Sequence, residues 1–199
     1  MFTVTLEQLR THGACYDGYN KVVRMLQQQP FTEEDEDREY YIQFDSGEQI
    51  SLIDICCNNS ITEALWATKC LDSTHVRDLR LYAVWCVRRI QHLLTDERSI
   101  HALDIEEQFA NGKRIEEELK EARFGTWHAY IDKKLKSTHH DTYAPHAAYY
   151  TTWADQYIAD ATSWAARYAA LAVGDTKRTE QTAMFIRTCE GKAPWQVDQ

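Results

Sequence analysis

The sequence predicts a mainly α, single-domain, helical bundle-like fold with one small N-terminal β-hairpin at about residues 39–52. Three observations predict it. Only three Pro and seven Gly interrupt 199 residues, which leaves room for long helices. Apolar residues recur at helical spacing, most clearly at Leu79, Ala83, Cys86, Ile90 and Leu93. Alternation of apolar and polar residues stands out in one place, at Tyr40, Ile42 and Phe44 and again at Ile50 and Leu52, around the turn signal Ser46-Gly47. A chain of this length can bury a sizeable core in one domain, 1–199. Within it, residues 1–58 read as N-terminal helices plus the hairpin. Residues 59–199 read as a helical region carrying an 11-residue repeat at 151–172.

The elements follow in chain order. "TLEQLRTHGA" starts at Thr5 as a helix cap and ends at Gly13. "YDGYNKVVRMLQQQP" is a second helix, with Val22, Val23, Met25 and Leu26 as core candidates and Pro30 as its stop. The acidic run "EEDED" reads as a solvated loop before the hairpin. "SLIDICCNN" is a short helix. "SITEALWATKCL" opens with Ser60 and Glu63 in a capping-box pattern. The helix over 76–94 carries the apolar stripe and should be central. A further helix starts at a Thr95 or Asp96 cap and stops at Asn111-Gly112, residue types that tolerate the left-handed conformation. The next starts near Lys113 or Arg114, with Glu116, Glu117, Glu118 and Glu121 in its first turns and Lys133, Lys134 and Lys136 at its end, each where the helix dipole favours that charge. "TKRTEQTAMFIRTCE" (176–190) is the final helix.

"TTWADQYIADA" (151–161) aligns with "TSWAARYAALA" (162–172), and "GTWHAY" (125–130) is a weaker echo. Eleven residues make about three helical turns, so each unit returns to nearly the same face. Tyr150, Trp153, Tyr157, Ala161, Trp164, Tyr168 and Leu171 then form a stripe at spacings of three and four. The plain expectation is a core or helix–helix seam. The alternatives are a stacking surface for a nucleotide and a partner or dimer interface.

The net charge of −9 is unevenly placed. Residues 31–48 carry a net of −7 and residues 96–121 a net of −5, while the rest is slightly basic. Direct nucleic-acid binding is disfavoured, since a phosphate backbone calls for a basic face. No run of about eighteen apolar residues suggests a membrane span. The start "MFTVTLEQLR" lacks the basic and apolar segments of an export signal. Cytoplasmic location with six reduced thiols is therefore expected.

Chemistry-bearing motifs are sparse. No P-loop, GxGxxG, GxSxG or HExxH occurs. His139-His140-Asp141 has the form of a metal-phosphohydrolase dyad, but that chemistry needs further His and Asp ligands that no spacing here demands. No cofactor is expected. Two acidic groups, Glu33, Glu34, Asp35, Glu36 and Asp37 with Glu116, Glu117, Glu118 and Glu121, are the predicted partner-binding surfaces. A small-ligand site would instead combine Trp153 and Trp164 with Arg77, Arg80, Arg88 or Arg167.

One resemblance emerges from these motifs. "LRTHGACYDGYNK", "ISLIDI", "ALWATKCLD", "HLLTDERSIHALDIEEQFANG" and "EEELKEAR" precede an aromatic and Ala-rich repeat. This order resembles a family of small proteins encoded by tailed phages and prophages, over most of residues 5–172 and most specifically at 92–123. The second half is also similar to an all-helical group labelled immunity proteins. The repeat departs from the family's Ala/Arg/Trp run. The resemblance implies a helical fold and an accessory role in the host cytoplasm, with no catalytic residue to carry over. The resulting expectation is a non-enzymatic protein that binds and inhibits a host protein, a defence-system component, as a monomer or homodimer. The alternatives are a protein that sequesters a nucleotide signal and a metal-dependent phosphohydrolase.

Overall fold

Helix starts in the N-terminal half follow the capping side chains. The computed structural model describes residues 1–137, 139–174 and 177–197. After β1 (Thr3–Val4), Thr5 caps α1 (Leu6–Thr11) in a reciprocal box with Gln8. α2 (Tyr16–Leu26) and the short α3 (Glu33–Glu36) precede β2 (Ile50–Ser51) and α4 (Leu52–Asn58). Ser60 caps α5 (Ile61–Ala67), and α6 (Val76–Arg88) follows. Asp96 caps α7 (Glu97–Ala110), and Gly112 takes a φ of +70° just after it. Such caps satisfy the N–H and C=O groups that helix ends leave without partners. Then come α8 (Glu116–Lys136), α9 (Tyr143–Thr151), α10 (Ile158–Leu171), α11 (Arg178–Cys189) and α12 (Pro194–Val197). The fold is mainly α, with one small antiparallel β element among the described residues.

That β element is not built as the 39–52 alternation predicts. Thr3 pairs with Ser51 and Val4 with Ile50. Phe2, Val4, Ile50 and Leu52 are all buried, so the N-terminal strand brings its own apolar face to the core. Tyr40, Ile42 and Phe44 form no strand. The buried Asn20 of α2 stands in for a partner strand: its amide donates to the Tyr40 carbonyl at 3.1 Å and accepts from the Ile42 N–H at 2.8 Å.

Two helix limits also move. The stripe on α6 holds at Leu79, Ala83 and Cys86, and Ile90 is buried just past the helix end. Leu93 falls in a 3₁₀ turn and is exposed. α8 starts at Glu116, because the Ile115 N–H is taken by the Glu118 carboxylate at 3.2 Å. The predicted start of the last helix at Thr176 lies outside the described residues.

The main apolar cluster runs from Phe2 to Ala193 and draws on α1, α2, α4–α7 and α9–α11. A smaller cluster of Ala102, Ile105, Leu119 and Ala122 joins α7 to α8. α10 lies against α6 and α9. Its buried residues are Ile158, Thr162 and the small Ala161, Ala165, Ala166, Ala169 and Ala170. α9 contributes Ala144, Ala147 and Ala148. Small side chains let these helices approach closely, and the rings are left on the other side.

Candidate partner-binding face

The aromatic stripe is only in part the core or helix–helix seam that its periodicity predicts: Tyr150, Trp153 and Tyr168 pack against the main core. Ala161 is buried, but Tyr157 and Trp164 are exposed, and Tyr150, Trp153 and Tyr168 are half-buried. Tyr150 stacks on Tyr168 (5.7 Å, 7° between planes) and on Trp164 (6.0 Å, 21°). Arg167 sits over the Trp164 ring at 5.2 Å. Trp127 of α8 joins through Tyr149 at 5.1 Å, and Tyr149 reaches Trp153 at 5.9 Å. Phe124 and Leu135 extend the apolar surface along α8, at 66% and 79% exposure. Three helices thus contribute to one half-exposed array of rings.

His146 is the inner member of the array, stacked on Tyr130 and tilted against Tyr168, at 4.2 Å from each. Burial first, then the positive charge of Lys134 and the nearby His139, push its pKa down to about 4. Burial likewise pushes Tyr150 up to about 12. Both rings are neutral at physiological pH, so the array is held by stacking and apolar contact.

One ion pair and two hydrogen bonds to backbone carbonyls anchor the chain where the array crosses from α9 to α10. Arg80 of α6 is 1% exposed. It binds Glu106 of α7. It donates to the Asp155 carboxylate at 2.9 and 2.5 Å and to the Trp153 carbonyl at 2.8 Å. The Phe109 ring covers it at 4.9 Å. Arg123 of α8 donates to the Thr152 carbonyl at 2.6 Å. These donors bind the segment where the α-helix is interrupted: 152–154 are non-helical and Asp155–Tyr157 is a 3₁₀ turn, so the first repeat unit is broken while the second is helical. A cleft of about 380 Å³ opens here, lined by Arg80, Phe109, Glu116, Arg123, Asp155 and Gln156 among others. One Glu106 oxygen and one Arg123 nitrogen are buried beside it without a hydrogen bond.

The residues singled out in the sequence fall in several places. Asp35 is no surface acid: it is fully buried and takes two hydrogen bonds from Arg24, at 2.9 and 2.7 Å. Thr32 caps α3, so "EEDED" is largely a helical turn rather than a loop. Glu33, Glu34, Glu36 and Asp37 remain exposed on α3, which packs on α2. Glu116, Glu117 and Glu121 are exposed on α8, which packs on α7 and α9, while Glu118 turns back to its own helix start and to Arg114. The two acidic groups belong to different helix pairs.

The proposed ligand set also divides. Trp153, Trp164 and Arg167 join the aromatic array. Arg80 is consumed inside the protein. Arg77 bonds Asn111 and the Trp195 carbonyl, and Arg88 pairs with Asp104 and Glu107. His139 and His140 set their rings edge-on to Tyr143, at 5.2 and 5.4 Å, in the turn that leads into α9. Among the described residues, no group of three or more His, Cys, Asp or Glu is placed to hold a metal. Cys56, Cys70, Cys86 and Cys189 are buried, and burial raises each thiol's pKa.

Phe124, Trp127, His146 and Tyr149 are the members that stripe counting misses. The "GTWHAY" echo points to Trp127, and "HAAYY" spaces His146, Tyr149 and Tyr150 by three and four. Nothing in one sequence pairs Arg80 with Glu106 and Asp155, or Arg123 with the Thr152 carbonyl.

No protein-family model matches the chain, and neither a curated protein nor a solved structure matches it. Among the described residues no helix is long and apolar enough to cross a membrane.

Proposed function

We propose that this chain is a non-enzymatic binding protein that engages a host protein through the aromatic face of α8, α9 and α10. The role is the phage or prophage accessory one that its sequence resemblance implies, with inhibition of a host defence component as the outcome. The observation that carries the reading is the half-exposed array of Trp127, Tyr149, Tyr150, Trp153, Trp164 and Arg167. Protein interfaces concentrate their binding energy in Trp, Tyr and Arg. Rings already locked against one another lose little side-chain freedom on docking. Glu117 and Glu121, exposed on the same helix α8, would speed encounter with a basic partner and make it salt-sensitive.

The test is affinity capture from host lysate at two salt concentrations, with wild type beside Trp127→Ala plus Trp164→Ala. One stoichiometric host protein should be retained by wild type and lost by the double variant. A hot-spot tryptophan contributes about 2 kcal/mol or more, roughly 30-fold in Kd. Retention of the same protein by the double variant moves the interface elsewhere, with charge reversal at Glu33, Glu34, Glu36 and Asp37 as the next variant. A blank capture, combined with a rise in Tm on adding cyclic dinucleotides, replaces the reading with ligand stacking on Trp164 and Arg167.

A further inference from the structure

The two copies of the 11-residue repeat share six of their eleven residues and have different backbones. In the second, Thr162, Trp164, Ala165 and Tyr168 lie in the unbroken helix α10. In the first, Thr151 ends α9, residues 152–154 turn, and Asp155–Tyr157 is a single 3₁₀ turn. Where the second copy has Ala166, the first has Asp155, whose carboxylate is held by Arg80. The broken unit carries the local pattern of a helix and is kept from it by tertiary contacts: Arg80 on the Trp153 carbonyl and the Asp155 side chain, and Arg123 on the Thr152 carbonyl.

We propose that residues 152–157 are a hinge through which α10 and the chain after it exchange between two copies of this protein. α9 and α10 run antiparallel: Tyr150 stacks on Trp164, while the earlier Tyr143 meets the later Tyr168. A continuous helix through 152–157 would point α10 away from its own α9. The alanine face of α10 and its contacts with α5, α6 and α9 are then remade on a second copy, with the same side chains meeting the same surfaces. The hinge is the one part that changes conformation, and it gains helical hydrogen bonds in doing so. The Arg80–Asp155 pair is the latch that favours the closed monomer.

The test uses the full chain, refolded from denaturant at high concentration and read by light scattering on a sizing column and by far-UV circular dichroism. Asp155→Ala removes the latch and installs the residue of the helical copy. A second variant adds Ala154→Pro. Ala154 already has a φ of −66°, which Pro requires, and Pro bars a continuous helix there. The expected result is a doubling of the 23.2 kDa monomer mass for Asp155→Ala, with a gain in helical signal, and a return to monomer when Ala154→Pro is added. Asp155→Asn is read the same way if Asp155→Ala does not fold. Variants that stay at monomer mass overturn the proposal. So does a dimer that persists with Ala154→Pro, which would assign it to face-to-face docking instead.

Discussion

Asp35 and Glu106 are both fully buried carboxylates paired with arginine, and their environments pull them in opposite directions. Asp35 receives both Arg24 hydrogen bonds, two more from the Thr32 hydroxyl and N–H, and the charge of Arg38 at 3.2 Å. The Arg24 hydrogen bonds, more than any other contact, hold its carboxyl well below the usual carboxylate range. Glu106 has Arg80 on one oxygen and no hydrogen bond on the other. Its Arg80 is shared with Asp155. Burial outweighs the pairing and pushes Glu106 up to about 7. At Asp35 the donors outweigh burial, and at Glu106 burial outweighs the single donor.

The largest way to break this contrast is Arg80→Ala. It strands Glu106 in the core and releases Asp155 and the Trp153 carbonyl. Loss of one partner of a buried pair costs about 3–5 kcal/mol, measured by urea unfolding. Arg24→Ala should cost less, because Arg38 and Thr32 still serve Asp35. Equal losses would show that the two sites are energetically alike.

The next effect is in pH dependence. Glu106 has a folded pKa of about 7 against an ordinary 4.5, so the native state keeps this proton longer than the unfolded chain. Its contribution to stability is complete below about 4.5 and is lost as pH rises through about 7. His146 works against it: with a folded value of about 4 against 6.5, its contribution is present above 6.5 and lost as pH falls through about 4. Glu106→Gln removes only the first of these. The stability of the variant relative to wild type should therefore climb between pH 4.5 and 7 and level off above; parallel curves would remove Glu106 from the account.

The smallest effect sharpens the other side. Thr32→Ala deletes a helix cap and one donor to Asp35, costing about 1 kcal/mol. The Asp35 contribution is lost as pH falls through its depressed folded value. With one donor fewer the folded value rises, so the loss ends at a higher pH and is smaller in total, read as a shallower acid limb of unfolding. An unchanged acid limb would mean that Arg24 alone sets the site.

The same division between local and distant contacts separates what the sequence shows from what it hides. Thr5, Ser60 and Asp96 announce helix starts, and Gly13 and Gly112 follow helix ends, because a cap needs only residues within one turn. The apolar spacing of Leu79, Ala83 and Cys86 reveals the buried side of α6 for the same reason. Of the candidate face, Tyr150, Trp153, Trp164 and Tyr168 are legible as a stripe and Arg167 as a ligand candidate, although which side of the stripe turns inward is not.

By itself, then, the sequence determined the mainly helical class, most helix starts and the composition of the aromatic stripe. Tertiary structure decided the rest. It paired Ile50 with Val4 rather than with the 40–44 segment, since a strand takes whichever partner completes the core, and that partner lay far along the chain. It buried alanines and exposed rings on α10, because close approach to α6 and α9 leaves space only for small side chains. It broke one of two related repeats, because a buried guanidinium must find acceptors, and beside Glu106 Arg80 finds them in the Trp153 carbonyl and the Asp155 carboxylate.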